Sequence, residues 1–126
     1  MGRFSRGGIS PQVSVRSDDW GPVIVALRGQ LNWESVEPLN RCLREHQNER
    51  DVVLDVWDVT RCEDAALIAV LQAARTRAED NGRGFALVAD PSRTCMHTIE
   101  ANPGTRSLLH CRDTQAACVA LRRVAA

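Results

Sequence analysis

The residues of this sequence that could take part in chemistry are few and scattered. His46, His97 and His110 lie far apart, and none has a Cys, His or Asp partner at the spacing of a metal site. Ser92 lacks the G-x-S-x-G context of a serine nucleophile, and no glycine-rich phosphate loop follows the first strand-to-helix connection. The sequence therefore predicts a protein that is not an enzyme and has no metal and no cofactor.

One pair of carboxylates, Glu63 and Asp64, falls at the start of a predicted helix. Acidic side chains in that position ordinarily cap a helix and complement its dipole. The turn that contains them, residues 58–65, also follows a predicted buried strand over Val52–Trp57. Open α/β sheets usually place their functional site at the carboxyl ends of strands. Function is therefore expected at this helix start, with simple capping as the alternative interpretation.

Length and composition restrict the class of protein. A chain of 126 residues with 44% hydrophobic residues can form one domain with its own core. Sixteen basic and sixteen acidic side chains cancel, which argues against nucleic acid as a partner. No apolar run approaches the ~20 residues of a membrane span, so no membrane insertion is expected. Residues 1–11 are predicted to be a flexible N-terminal tail before a single domain over residues 12–126.

Five cysteines without a C-x-x-C pair predict reduced, buried thiols in a cytoplasmic protein. They are Cys42, Cys62, Cys95, Cys111 and Cys118. A redox protein is the alternative, and Cys62 beside the helix start would then be the reactive thiol.

Hydrophobic periodicity predicts alternating strands and helices. The expected order is β-β-α-β-α-β-α-β-α, an α/β fold with a mixed sheet of four to five strands and about four helices. Residues 29–32 are expected to leave the sheet, residues 58–65 to form a polar connection, and Ser92 and Asp113 to cap helices. The strands are expected at 13–16, 23–27, 52–57, 85–89 and 107–110, with helices starting near 32–35, 63–66, 92 and 113.

Several segments together resemble the STAS domain family, named for sulfate transporters and anti-sigma factor antagonists. Gly29-Gln30-Leu31-Asn32 resembles the family's Gly-Glu-Leu-Asp. The strand around Leu54 and the stretch Cys62 to Leu71 are similar to its central strand and its Met/Ile-Asp-Ser-Ser-Gly-Leu motif. The resemblance covers nearly the whole chain and implies a STAS-like fold.

The resemblance also implies where this chain departs from the family. Matching without gaps puts Glu63 on the family's Asp, Asp64 on the first Ser, Ala65 on the phosphoacceptor Ser and Ala66 on the Gly. Ala65 has no hydroxyl and cannot be phosphorylated. Asp64 is a poor phosphate mimic, with one negative charge against about one and a half to two. Thr60 and Ser92 are nearby hydroxyl residues that are open to phosphorylation. A structural role, in a turn and as a helix cap, is the favoured interpretation of both.

The resemblance implies a regulatory protein that binds an anti-sigma factor or related serine kinase-like protein without the standard phosphorylation switch. The expected alternative is an accessory or scaffold STAS module in a larger signalling or transport complex. A homodimer is a further possible assembly of such a domain. Trp33 is expected either to anchor a partner or to act as a hydrophobic staple on the first helix. The predicted partner surface consists of Asn32, Trp33, Glu63, Asp64, Ala65, Ala66 and Arg93.

Overall fold

A mixed β-sheet with helices on both faces forms the domain. The computed structural model describes residues 12–17, 21–92 and 95–125. The predicted tail at residues 1–11 lies outside the described residues. The strands are β1 (Gln12–Ser17), β2 (Val23–Leu31), β3 (Val52–Asp55), β4 (Val59–Cys62), β5 (Phe85–Val88) and β6 (Leu109–Cys111), and the helices are α1 (Trp33–Gln47), α2 (Asp64–Asn81), α3 (Cys95–Ala101) and α4 (Thr114–Ala125).

The sheet has the order β1-β2-β3-β5-β6, and β4 pairs with the far end of β2. β1 and β2 are antiparallel, whereas the other pairs are parallel. The mixed α/β fold with four helices is thus confirmed in the described residues. Within these residues the sheet has six strands, whereas the sequence predicted four or five.

The additional strand is β4, where the sequence predicted a polar connection. β2 does not end before Gly29 as predicted, but continues to Leu31 and pairs in parallel with β4. The register shifts between Gly29 and Gln30, because Thr60 is an extra residue on β4. Gly29 has φ +89°, and its carbonyl oxygen accepts a hydrogen bond from the Thr60 hydroxyl at 3.0 Å. A four-residue strand with two exposed side chains carries too little hydrophobic pattern to be predicted.

Alternation along the central strands divides the core between two faces of the sheet. Val52 and Leu54 belong to a large cluster with the apolar residues of α1, α2 and α3. Val53 belongs to a smaller cluster with Ala117 and Leu121 of α4 on the opposite face. The central strand is buried on both faces, as its continuous apolar run predicted.

A buried polar side chain fixes α1 against α2. Gln47 is fully buried, and its amide nitrogen Nε2 donates to the Ala74 carbonyl oxygen at 2.8 Å. Its Oε1 accepts from Arg77 Nε at 2.9 Å, and its backbone oxygen accepts from Asn81 Nδ2 at 3.2 Å. The carboxyl halves of the two helices are therefore held together by specific hydrogen bonds. Their amino ends meet at the other end of the sheet.

Local details differ from the sequence prediction at the ends of several strands. β3 ends at Asp55, whose Oδ1 accepts from the Trp57 backbone nitrogen at 3.0 Å in a turn. α3 is described from Cys95, and residues 93 and 94 before it lie outside the described residues, so the cap at Ser92 stays a prediction. The Ser92 hydroxyl donates to Asp90 Oδ1 at 2.7 Å. Asp113 caps α4 as predicted, because its Oδ1 accepts from the Ala116 backbone nitrogen at 2.7 Å. β6 spans 109–111 instead of 107–110.

None of the described helices is both long and apolar enough to cross a membrane. Within the same residues, no group of three or more His, Cys, Asp or Glu side chains could hold a metal ion.

Candidate functional site

The amino ends of α1 and α2 lie beside each other at the carboxyl ends of β2 and β4. The Glu63 backbone nitrogen donates to the Leu31 carbonyl oxygen at 2.8 Å, which ties the start of α2 to the start of α1. A shallow groove of about 310 Å³ lies between them, lined by Gln30, Leu31, Asn32, Arg61, Cys62 and Glu63. We call the exposed surface around this groove, with Trp33 and Ala65, the helix-start surface.

Asn32 shapes this surface by capping α1. Its Oδ1 accepts hydrogen bonds from the backbone nitrogens of Glu34 at 3.0 Å and Ser35 at 3.1 Å. The Ser35 hydroxyl is within 3.4 Å of the Asn32 backbone nitrogen, which completes a capping box. α1 begins at Trp33, within the predicted range. The half-buried Asn32 therefore has a clear structural role beside any role in binding.

Trp33 is 56% exposed, the largest exposed fraction among the large apolar side chains of the described residues. It is the first residue of α1, whereas a hydrophobic staple joins the residues just before the cap and four positions after it. In this helix those positions belong to Leu31 and Val36, which are buried and half-buried. The exposure of Trp33 favours the interpretation as a partner anchor over that of a staple.

The start of α2 has no side-chain cap. Glu63 is the cap residue, but its carboxylate makes no capping hydrogen bond and it is exposed. Asp64 is half-buried, and its Oδ2 accepts a short hydrogen bond of 2.6 Å from the Thr98 hydroxyl of α3. The Asp64 carboxylate therefore links α2 to α3 instead of extending fully into solvent.

The two alanines that stand at the family motif's acceptor Ser and Gly positions differ in exposure. Ala65 is exposed beside the groove. Ala66 has no exposed surface and belongs to the core cluster under α2, so its side chain cannot contact a partner. This corrects the predicted surface, which included Ala66. The helical rotation of about 100° per residue explains the difference between neighbours.

Sequence reasoning missed several residues that contribute to the site, and it included one residue that the structure does not describe. Gln30 and Arg61 line the groove, and they come together only because β4 pairs with β2. Thr98 lies 34 residues from Asp64, and no local pattern signals their contact. Arg93 lies outside the described residues.

Four of the five cysteines are less buried than the sequence predicted, and the side chain of Cys95 lies outside the described part of the chain. Cys42, Cys62, Cys111 and Cys118 are all half-buried. Burial raises the pKa of the Cys42 thiol, and the Glu45 carboxylate raises it further. Burial and Asp113 raise the pKa of Cys111 in the same direction. A raised pKa opposes thiolate formation, so neither of these two thiols has the electrostatics of a reactive cysteine.

Solved structures share this fold at low sequence identity. An anti-sigma factor antagonist from Mycobacterium paratuberculosis superposes with a TM-score of 0.75 at 19% identity, covering 94% of this chain and 99% of that one. The anti-sigma factor antagonist SpoIIAA in its unphosphorylated form gives a TM-score of 0.67 at 12% identity, covering 89% and 98%. An uncharacterised protein from the DUF3478 family of Shewanella loihica PV-4, with a SpoIIAA-like fold, gives 0.57 at 14% identity, covering 94% and 99%.

No curated protein matches the sequence. A family model described as "Mlab, STAS domain" matches residues 14–102, well over half of the chain. This stretch runs from β1 through α3 and contains the whole helix-start surface. The chain therefore belongs to the STAS domain family.

Proposed function

We propose that this chain is a cytoplasmic, non-enzymatic regulatory module that binds an anti-sigma factor or related serine kinase-type protein through its helix-start surface. Binding would not be switched by phosphorylation at the position that the family uses. The observation that carries the proposal is Ala65, an exposed methyl group at the start of α2 where the family's motif has its acceptor serine. The family membership and the likeness to antagonist structures support the partner class.

Trp33 would provide most of the apolar contact. A tryptophan buries about 150–250 Å² when fully covered, and this side chain is 56% exposed. Covering it would therefore remove about 100 Å² from water, worth roughly 2–3 kcal/mol at 25 cal/mol per Å². A contact of that size is typical of a binding hot spot.

Fixed charges around Trp33 define the chemistry of the partner. Glu34 and Glu63 are exposed on the two helix starts, and Arg61 is exposed on the adjoining strand. Negative charge is the majority here, so a partner surface with arginine or lysine beside an apolar pocket would be complementary. Such complementarity mainly raises the association rate.

Because the position of the phosphoacceptor carries no hydroxyl, binding through this surface would be constitutive. Ala65 gains no charge in the presence of ATP and a kinase, and Asp64 is already hydrogen-bonded to Thr98. The charge of the surface is therefore fixed by sequence, whereas a phosphoserine would add about −1.5 to −2 at the same helix start.

The test is retention of proteins from lysate of the source cells by the full-length chain, followed by mass spectrometry and measurement of the dissociation constant with the purified partner. The variants are Trp33→Ala, Ala65→Ser and Asp64→Arg, with Val15→Ala as the matched control, since Val15 is 45% exposed on β1. We expect a histidine-kinase-like anti-sigma factor to be retained by wild type. Trp33→Ala should weaken binding by about 30-fold or more, from the area estimate above, and Val15→Ala should not.

Phosphorylation is tested in the same system. Incubation with ATP and the retained partner should leave wild-type binding unchanged, whereas Ala65→Ser should become phosphorylated and lose affinity. Retention of no kinase-like protein, or equal binding by wild type and Trp33→Ala, would refute the proposal.

One observation favours a second candidate function. The family model that matches is described as the Mlab STAS domain and not as an antagonist. An accessory module that binds a larger complex through the same surface would fit that description. Retention of several subunits of one assembly, without a kinase-like protein, would support this candidate.

A further inference from the structure

No helix of the described part of the chain covers one strip of the sheet face beside α4. α4 packs on β3, β5 and β6. On the same face, the side chains of Ile24 and Ala26 from β2 are only half-buried, although β2 lies inside the sheet. Their partners on β1 are Arg16 and Ser14, which are exposed and point to the same face. We call this strip of β1 and β2 beside α4 the open slot.

The open slot has the width of one helix. Neighbouring strands are about 4.8 Å apart, and packed helices lie about 8–10 Å apart. The width of two strands therefore matches the width of one helix packed alongside α4. The slot contains a groove of about 400 Å³, with Ile24 as part of its floor and Cys118 and Val119 of α4 along its side. Val119 is 41% exposed there.

The charged side chains that line the groove are Arg16 and Arg122, and none of its described lining residues is acidic. Arg16 Nη2 donates to the Thr114 hydroxyl at 3.3 Å. A guanidinium has five N–H donors, so this contact leaves most of them available. Asp55 lies on the same face beside Ala26, but outside the groove. The groove therefore combines apolar contacts at Ile24 and Val119 with polar side chains and with positive charge from Arg16 and Arg122.

We propose that the open slot binds an acidic amphipathic helix of a partner protein. Its apolar side would cover Ile24 and Val119, and its carboxylates would face Arg16 and Arg122. Two other occupants are disfavoured by charge. Residues 1–11 of this chain contain Arg3 and Arg6 and no acidic residue. A symmetric second copy would place the same pair of arginines opposite Arg16 and Arg122. The slot is separate from the helix-start surface, so the proposal does not depend on the proposed function.

The test uses the full-length ¹⁵N-labelled protein and a synthetic amphipathic peptide of about 18 residues, long enough to form a helix. The peptide has leucine on one face and glutamate at its borders. A peptide with lysine in place of glutamate and a scrambled peptide of the same composition are the ligand controls. The protein variants are Arg16→Gln/Arg122→Gln and, as the matched control, Arg83→Gln/Arg106→Gln, which removes two exposed arginines elsewhere.

We expect the glutamate peptide to shift the amide resonances of Ile24, Ala26 and Val119. The dissociation constant should rise about fivefold or more in Arg16→Gln/Arg122→Gln and with added salt, but not in Arg83→Gln/Arg106→Gln. Equal binding of the lysine or scrambled peptide, shifts confined to the helix-start surface, or no shift at about 1 mM peptide would overturn the proposal. Concentration-dependent self-association that is lost in Arg16→Gln/Arg122→Gln would assign the slot to a second copy and would also overturn it.

Discussion

Replacement of Gln47 by methionine should destabilise the domain by removing buried hydrogen bonds between α1 and α2. The side chain is fully buried between α1 and α2, and methionine keeps its length while removing both hydrogen-bonding atoms. Two side-chain hydrogen bonds are lost, one to the Ala74 carbonyl and one from the charged Arg77 guanidinium. Arg77 keeps a contact from Nη2 to Asn40 Oδ1 at 3.3 Å.

The magnitude follows from the type of each bond. A neutral buried hydrogen bond contributes about 1 kcal/mol, and one to a charged group about 1.5–3 kcal/mol. The greater burial of apolar surface by methionine offsets a small part of this loss in free energy. The expected loss in the free energy of unfolding is therefore about 2–4 kcal/mol. With a urea m-value of about 2 kcal/mol per molar, in the middle of the usual range, the midpoint should fall by roughly 1–2 M.

The assay is urea unfolding followed by far-ultraviolet circular dichroism, with Gln72→Met as the matched control. Gln72 is exposed on α2 and its Nε2 is 3.3 Å from Asn102 Oδ1, so the control should change stability by less than about 0.5 kcal/mol. Arg77→Met and the double variant Gln47→Met/Arg77→Met complete a cycle, in which the coupling should be about 1 kcal/mol or more. Equal midpoints for Gln47→Met and Gln72→Met, or a coupling near zero, would refute this account of the helix pair.

Three further perturbations test other parts of the structure. Gly29→Ala should cost about 1–2 kcal/mol in urea unfolding, because alanine is strained at φ +89° even though no atom lies within 4 Å of its Cβ; an unchanged midpoint would contradict the bulge geometry. Thr98→Val should cost about 1–2 kcal/mol by removing the 2.6 Å hydrogen bond to Asp64, and Thr98→Ser should retain most of the stability; equal losses for the two variants would exclude a role for the hydroxyl. The rate of Cys42 alkylation by iodoacetamide should rise with a midpoint above pH 9.0, because burial and then Glu45 raise the pKa of this thiol above that ordinary value; a midpoint below 9.0 in native protein, assigned by mass spectrometry, would show the opposite shift.

The elements with long and regular patterns could be predicted from the sequence. The apolar run at Val52–Leu54, the helical spacing after Ala65 and the cap at Asp113 each depend on neighbours in the chain. Such local signals are enough to predict helices, central strands and their order. β4 could not be predicted this way, because its four residues are stabilised by pairing with β2. The paired residues Gly29 and Val59, for example, are 30 positions apart in the chain.

The features of the candidate site can be separated in the same way into those set by local sequence and those set by the fold. The sequence alone determined the position of the helix start at Glu63–Asp64, the absence of a hydroxyl at Ala65 and the presence of Trp33 beside the cap of α1. The tertiary structure decided which of these side chains are accessible: Trp33 and Ala65 are exposed, Ala66 is buried, and Asp64 is bonded to Thr98. Residue type is a local property, whereas exposure and hydrogen-bond partners depend on which distant segments pack against a residue, and only the folded chain specifies those.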